Sequence, residues 1–123
     1  MPIRILIADD HAVVRSGLRN LLSAAPDLEV IGEAADGGET LSLTAQLHPD
    51  LVLLDITMPW MDGYEVCKNI KGKPLTKKVP VVMLSGKDGL FDKVRGKLAG
   101  CNDYITKPFD PEALLKTIRK YLS

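Results

Sequence analysis

An α/β fold built on a doubly wound, parallel five-stranded sheet is what this sequence predicts, and three observations predict it. Short β-branched, apolar runs of strand length recur at near-regular intervals along the chain. The segments between them carry apolar residues at helical spacing. Runs such as ILIA (5–8) and LVLL (51–54) are apolar at consecutive positions, which is what strands covered by helices on both faces require.

The elements follow in order. IRILIA (3–8) is the first strand, and Val14, Leu18, Leu21 and Leu22 mark one face of the helix after it. LEVIG (28–32) is the second strand, followed by a helix with Leu41, Ala45 and Leu47 on its apolar face. Asp36-Gly37-Gly38 and His48-Pro49-Asp50 bracket that helix. LVLLD (51–55) leads to a third helix carrying Cys67 and Ile70, and VPVVMLS (79–85) to a fourth marked by Phe91, Val94 and Leu98. DYIT (103–106) is the last strand. Leu114, Leu115, Ile118 and Leu122 define the final helix, for which Asp110 is the N-cap, Pro111 the first helical position and Glu112 a first-turn acid.

A chain of 123 residues has the size of one domain, here 1–123, long enough to bury roughly two-thirds of its unfolded surface. Sixteen basic residues balance sixteen acidic ones and 46% of residues are apolar, which argues against both disorder and a general polyanion binder. The balance conceals polarity. Residues 1–62 hold three basic against ten acidic residues, a net of −7, and residues 63–123 hold thirteen against six, a net of +7. The basic half is expected to help steer an acidic protein partner.

Cys67, Cys101 and two histidines supply neither a disulfide framework nor a four-ligand zinc site, so a reducing compartment is expected. The N-terminus lacks the charged-then-apolar order of a signal peptide, and the apolar runs fall far short of the roughly 20 residues that span a bilayer. A soluble, cytoplasmic protein with no membrane association is the expectation.

In an open α/β sheet, ligands bind beyond the carboxyl ends of the strands where strand order reverses. The first strand ends in Asp9-Asp10, the third in Asp55, the fourth in Ser85-Gly86, and the fifth in Thr106-Lys107-Pro108. Three acids, a hydroxyl and a lysine therefore converge on one rim. Two unit charges about 4 Å apart repel by roughly 4 kcal/mol at an effective dielectric near 20, and one lysine offsets only part of that. An oxygen-preferring dication fills the deficit, and Mg²⁺ typically takes one or two carboxylates, waters and a phosphate. A carboxylate can itself be the nucleophile, forming an aspartyl phosphate.

The motifs ILIADDH, LVLLDITMPWMDGYE, VVMLSGK and YITKPF, in this order and at these spacings, resemble the response-regulator receiver domains of two-component signalling. The resemblance covers essentially the whole chain and implies a flavodoxin-like (βα)5 fold with strand order 2-1-3-4-5. It implies that Asp55 is the phosphoacceptor and that Asp9 and Asp10 hold Mg²⁺ together with Asp55 and the backbone carbonyl of Thr57. Ser85 would bind a phosphoryl oxygen, Lys107 would pair with the phosphate, and Tyr104 would be the aromatic switch. A cis Lys107–Pro108 peptide and a turn served by Gly63 are also implied. The readout surface would be the face formed by the fourth helix, fifth strand and fifth helix. The implied phosphodonor is a histidine kinase or phosphotransfer protein. The chain would be a monomer or weak dimer that binds no nucleic acid directly, its downstream target open.

Gly86, Thr57, Lys87 and Trp60 stand where the family pattern varies or differs, which bears on rates; Lys87 is expected to alter the phosphate's lifetime and Trp60 to report metal binding. Residues 1–66 resemble receivers joined to helix-turn-helix output domains, whereas 85–109 resemble stand-alone receivers of motility and pilus systems. That mixture is compatible with a natural chain, an engineered chimera or a consensus-like design.

Plainer readings stand beside these. An Asp-Asp pair often caps a helix, Ser85 could simply end a strand, Lys107 could be solvated, and Tyr104 could be core. His11 reads as a residue at the start of the first helix and His48 as a helix-end residue. Cys67 and Cys101 read as small apolar packers. A haloacid-dehalogenase-type phosphatase would want a second Asp at position 57, where this chain has Thr, and a flavodoxin-like cofactor site would want a phosphate loop where Asp9-Asp10 repel one. A receiver used only for protein contacts would not need the full set of site residues.

Overall fold

The computed structural model describes residues 2–56, 58, 61–85, 93–107 and 109–121. Strands and helices alternate: β1 (Ile3–Ala8), α1 (Ala12–Ser23), β2 (Leu28–Ala34), α2 (Gly37–Leu47), β3 (Leu51–Asp55), α3 (Gly63–Lys71), β4 (Val81–Ser85), α4 (Lys93–Ala99), β5 (Asp103–Thr106) and α5 (Pro111–Arg119). All strand pairs are parallel and the order is β2-β1-β3-β4-β5, as the resemblance implies. The order reverses at β1, whose neighbours are β2 on one side and β3 on the other, so the crevice opens beyond the ends of β1 and β3.

The consecutive apolar runs behave as expected. All five residues of β3 and all five of β4 are buried. Alternate residues of the strands feed two cores: Ile5, Ile7, Leu53 and Leu84 pack with Leu18, Leu22, Leu114 and Ile118 on one face. Leu6, Val52, Leu54 and Met83 pack with Tyr64, Val66, Cys67 and Ile70 on the other. Every second side chain of a buried strand thus belongs to a different layer.

Two helices differ from the sequence reading. In α2 the buried positions are Gly37, Thr40 and Thr44, while Leu41 and Leu47 are half-buried and Ala45 is exposed. The threonines tolerate burial because each hydroxyl is satisfied locally, Thr40 Oγ1 donating to the Asp36 carbonyl and Thr44 Oγ1 to that of Thr40, both at 2.7 Å. In α4 the expected apolar face is solvent-facing: Val94 and Leu98 are 68% and 79% exposed, and the helix meets the core through the small Ala99. Phe91 and Leu122 lie outside the described residues. Strand ends also shift, β2 running on to Ala34 and β4 starting only after Pro80, which has no N–H to pair.

Caps set where the helices begin. Asp36 and Asp62 accept from the amides of Glu39 (2.8 Å) and Glu65 (3.0 Å), and Glu39 reaches back to the Ala35 amide at 2.8 Å. Asp110 occupies the N-cap position of α5 with Pro111 next, but its side chain makes no capping bond. His48 closes α2 in the left-handed region (φ 49°), as a helix-end residue should.

Candidate functional site

The site is assembled from strand ends, so burial of the strands dictates where its charges sit. Asp9 follows β1 directly and is fully buried; Asp55 is the last residue of β3 and 1% exposed. Ser85, also 1% exposed, ends β4 beside Thr106 of β5. The Lys107 amide donates to the Ser85 carbonyl at 2.7 Å, which extends the β4–β5 ladder one step and delivers Lys107 to the rim.

Lys107 is the hub. Its Nζ donates to Asp9 Oδ2 at 2.8 Å and lies 3.4 Å from Asp55 Oδ1. Burial pulls against its charged form, but the hydrogen bond to Asp9 and the charges of Asp55 and Asp9 outweigh it and hold the ammonium above its ordinary range. Lys107 is therefore a cation at any physiological pH, offsetting one of two buried carboxylates.

The third carboxylate, Asp10, is on the exposed side. His11 brackets the pair: its backbone amide donates to Asp9 Oδ1 at 2.8 Å, and its Nδ1 lies 3.0 Å from Asp10 Oδ1 and 3.3 Å from Asp9 Oδ1. Each of Asp9, Asp10, His11 and Asp55 offers one donor atom, and these four atoms lie within 4.8 Å of one another. Three carboxylates at that crowding, with one ammonium to offset them, fit a hard dication that prefers oxygen ligands. His11 is the N-cap of α1, so Asp10 does not take the capping role open to it; instead the amide after Asp10 is bound by Asp9.

One contributor escaped the sequence reading, and another was read with a different reason. Arg15, one turn into α1, donates to the Asp9 backbone carbonyl at 2.6 Å and to Glu33 at 3.2 Å, fastening the β1–α1 turn to β2. Its only sequence signal is helical spacing after the acids. Gly63 is the other. It has no positive φ, so the conformational freedom of a turn is not the reason for it. A Cβ there would stand 2.6 Å from the Asp55 carbonyl oxygen and 2.7 Å from Ile56 Cα. Only a glycine lets the start of α3 lie against the backbone that carries Asp55, and its amide donates to the Ile56 carbonyl at 2.7 Å.

Tyr104 stands apart from this cluster. It lies on β5 opposite Met83, 37% exposed, and so is not core. Thr57, Trp60, Gly86, Lys87 and the Lys107–Pro108 peptide lie outside the described residues.

The fold, with an acid-lined crevice and a rim lysine beyond the strand ends, is of the doubly wound α/β class. The comparisons are specific: residues 5–119 match the response regulator receiver domain family, and the chain belongs to it. Receiver domains are the phosphoacceptor signalling domains of two-component systems. The chain is 40% identical over 120 residues to protein PilG of Pseudomonas aeruginosa, covering 98% of this chain and 87% of PilG. It spans only about half the length of several other response regulators it matches. A crystal structure of a putative response regulator from Chloroflexus aurantiacus superposes with a TM-score of 0.91 at 37% identity, over 99% of this chain and 98% of that one. A receiver domain of a sensor histidine kinase from Pseudomonas aeruginosa, with magnesium coordinated in its active-site cleft, superposes at 0.86 with 25% identity, over 98% of each chain. Among the described residues, no helix is long and apolar enough to cross a membrane.

Proposed function

We propose that this chain is a phosphorylation-dependent switch in which Asp55 takes a phosphoryl group from a phosphohistidine on a sensor kinase or phosphotransfer protein. The observation that carries the reading is the placement of Asp55: a buried carboxylate at the carboxyl end of the central strand, 3.4 Å from the Lys107 ammonium and within one donor cluster with Asp9 and Asp10. In the transfer, an Asp55 carboxylate oxygen attacks phosphorus, the P–N bond to the donor imidazole breaks, and its electron pair leaves with that imidazole. The product is an acyl phosphate on Asp55.

Magnesium would be held by Asp9, Asp10, Asp55 and the backbone carbonyl of Thr57, and would supply charge neutralisation at the phosphoryl oxygens. The magnesium in the neighbouring histidine-kinase receiver supports this assignment. Lys107, held charged by Asp9, pairs with a phosphoryl oxygen once that oxygen competes with the Asp9 carboxylate. Ser85, buried beside the crevice, donates its hydroxyl to another. Drawing Ser85 inward opens space at the β4–β5 edge, and Tyr104, now half in solvent, rotates toward it. The surface formed by α4, β5 and α5 carries that change to a protein target, the chain itself being a monomer or weak dimer. Moving such a switch from 1% to 99% active takes about 5.5 kcal/mol of preference, which several charge-assisted bonds to one phosphate can supply. The domain spans 1–123 and is a phosphoacceptor, with self-phosphorylation and self-dephosphorylation chemistry, more than an enzyme acting on a separate substrate.

Intact mass after incubation with Mg²⁺ and phosphoramidate tests the reading. One added phosphate in the wild type and none in Asp55→Asn is expected. An adduct that survives Asp55→Asn, or no adduct in the wild type, overturns it.

A further inference from the structure

We infer that His11 adds an imidazole nitrogen to the metal site and makes it selective for borderline first-row dications such as Co²⁺ over Mg²⁺. The inference rests on the metal reading of Asp9, Asp10 and Asp55 given above and names the cation class that this chain's own residues favour.

The geometry comes first. His11 Nδ1 stands 3.0 Å from Asp10 Oδ1 and 3.3 Å from Asp9 Oδ1. Two donors that each lie about 2.1 Å from a common ion, at right angles to one another, are about 3.0 Å apart. The His11 nitrogen is in hydrogen-bond and ion-pair contact with the two carboxylate oxygens, a separation that neighbouring ligands on one cation also have.

The position of the ring is built into the backbone. His11 is the N-cap of α1 in extended conformation, φ −99° and ψ 113°, and its side chain makes no capping hydrogen bond. Capping therefore makes no claim on the imidazole. The backbone amide, meanwhile, donates to Asp9 Oδ1 at 2.8 Å and clamps the residue to the acid loop. With its side chain 65% exposed, the ring is open to an ion arriving from solvent.

The chemistry sets the order of preference. Mg²⁺ dehydrates reluctantly and prefers oxygen, so an imidazole gives it little. Imidazole suits transition metals, and affinity for such a mixed nitrogen and oxygen set rises from Mn²⁺ to Co²⁺. A nitrogen donor in an otherwise all-oxygen site thus separates Co²⁺ from Mg²⁺ where carboxylates alone separate them poorly.

Calorimetric titration of the intact chain with Mg²⁺, Mn²⁺ and Co²⁺ at one fixed pH tests this, together with the visible absorption of bound Co²⁺. The expected result is that His11→Ala weakens Co²⁺ by at least about tenfold, in the range that loss of groups supporting a metal site costs, weakens Mn²⁺ less, and leaves Mg²⁺ nearly unchanged. The Co²⁺ spectrum changes with loss of the nitrogen ligand. His11→Phe, which keeps ring bulk, repeats the effect, and His48→Asn, at the only other histidine, leaves every affinity unchanged. Equal changes for Co²⁺ and Mg²⁺ in His11→Ala, or none for either, overturn the role of His11. Absence of Mg²⁺ binding in the wild type, or Mg²⁺ binding that is indifferent to Asp55→Asn, overturns instead the metal reading beneath it.

Discussion

The centre and the edge of this sheet are built to different standards. In β3 and β4 every residue is buried, and the helix beside them, α3, sinks Tyr64, Val66, Cys67 and Ile70 into the core. At the β5 edge only Ile105 of the strand is buried, and α4 turns Val94 and Leu98 to solvent. Asp9, Asp55 and Ser85 lie at the carboxyl ends of central strands, while Tyr104 lies on the edge strand β5 and Lys107 follows it directly. Elements with few buried apolar contacts rearrange at low cost, whereas a close-packed centre holds its geometry against the repulsion of its own acids. One domain thus combines a close-packed centre around the site with a thinly buried flank.

The largest test of that contrast is truncation of a leucine on each side. Leu84→Ala, at a fully buried position of β4, is expected to cost about 2–5 kcal/mol in urea unfolding. Leu98→Ala on α4 should stay within about 0.5 kcal/mol. Similar losses for the two would abolish the distinction.

Glycines sharpen it next. Gly63→Ala drives a Cβ into the Asp55 and Ile56 backbone and is expected to destabilise by about 1–3 kcal/mol while slowing phosphorylation of Asp55. Gly17→Ala on the exposed side of α1 meets nothing within 4 Å and should stabilise by about 0.5–1 kcal/mol. Parallel urea curves and phosphorylation time courses read both.

The thiols report the same gradient by chemistry. Burial, reinforced by the proximity of Cys101, pushes the Cys67 thiol up to about 12. Burial also raises half-buried Cys101, with Asp103 adding to it. Native protein treated with maleimide should label at Cys101 first and at Cys67 only as the domain unfolds; equal rates would show that the α3 layer is open.

The smallest expected effect lies farthest from the site. Arg119 on α5 forks onto Asp27 before β2 through bonds of 2.8 and 3.0 Å, and that hydrogen bonding holds the Asp27 carboxyl below its usual range against the opposing pull of burial. A carboxyl depressed in the folded state stabilises above its unfolded pKa, and the contribution disappears as pH falls through the folded value. The difference in melting temperature between wild type and Asp27→Asn should be small at neutral pH and vanish in acid. A difference that grows on acidification would reverse the sign.

Much of this was legible along the chain because burial on both faces leaves a continuous apolar signature. β1, β3 and β4 could be read from it, and β2 and β5 from short β-branched runs at regular spacing, along with the acids at the strand ends. The faces of α2 and α4 could not. In α2, threonines whose hydroxyls bond their own helix backbone pass for surface residues. In α4, Val94 and Leu98 carry a core-like spacing on a face that meets water. The sequence also points to a reason for Gly63 other than the real one, since nothing in it reveals that Asp55 and the α3 start touch.

By itself, then, the sequence determined that this chain is a parallel α/β receiver, which three acids, one hydroxyl and one lysine share its rim, and that its acidic and basic residues divide between its two halves. Those are local properties: strand burial, residue type and position at a strand end. Only the tertiary structure decided which groups touch. Asp9 rather than Asp55 is the nearer partner of Lys107, Arg15 and Gly63 hold the acids' backbone, and His11 faces both Asp9 and Asp10. Distances of 3 Å between residues nearly a hundred positions apart come from how layers pack, and no local pattern encodes them.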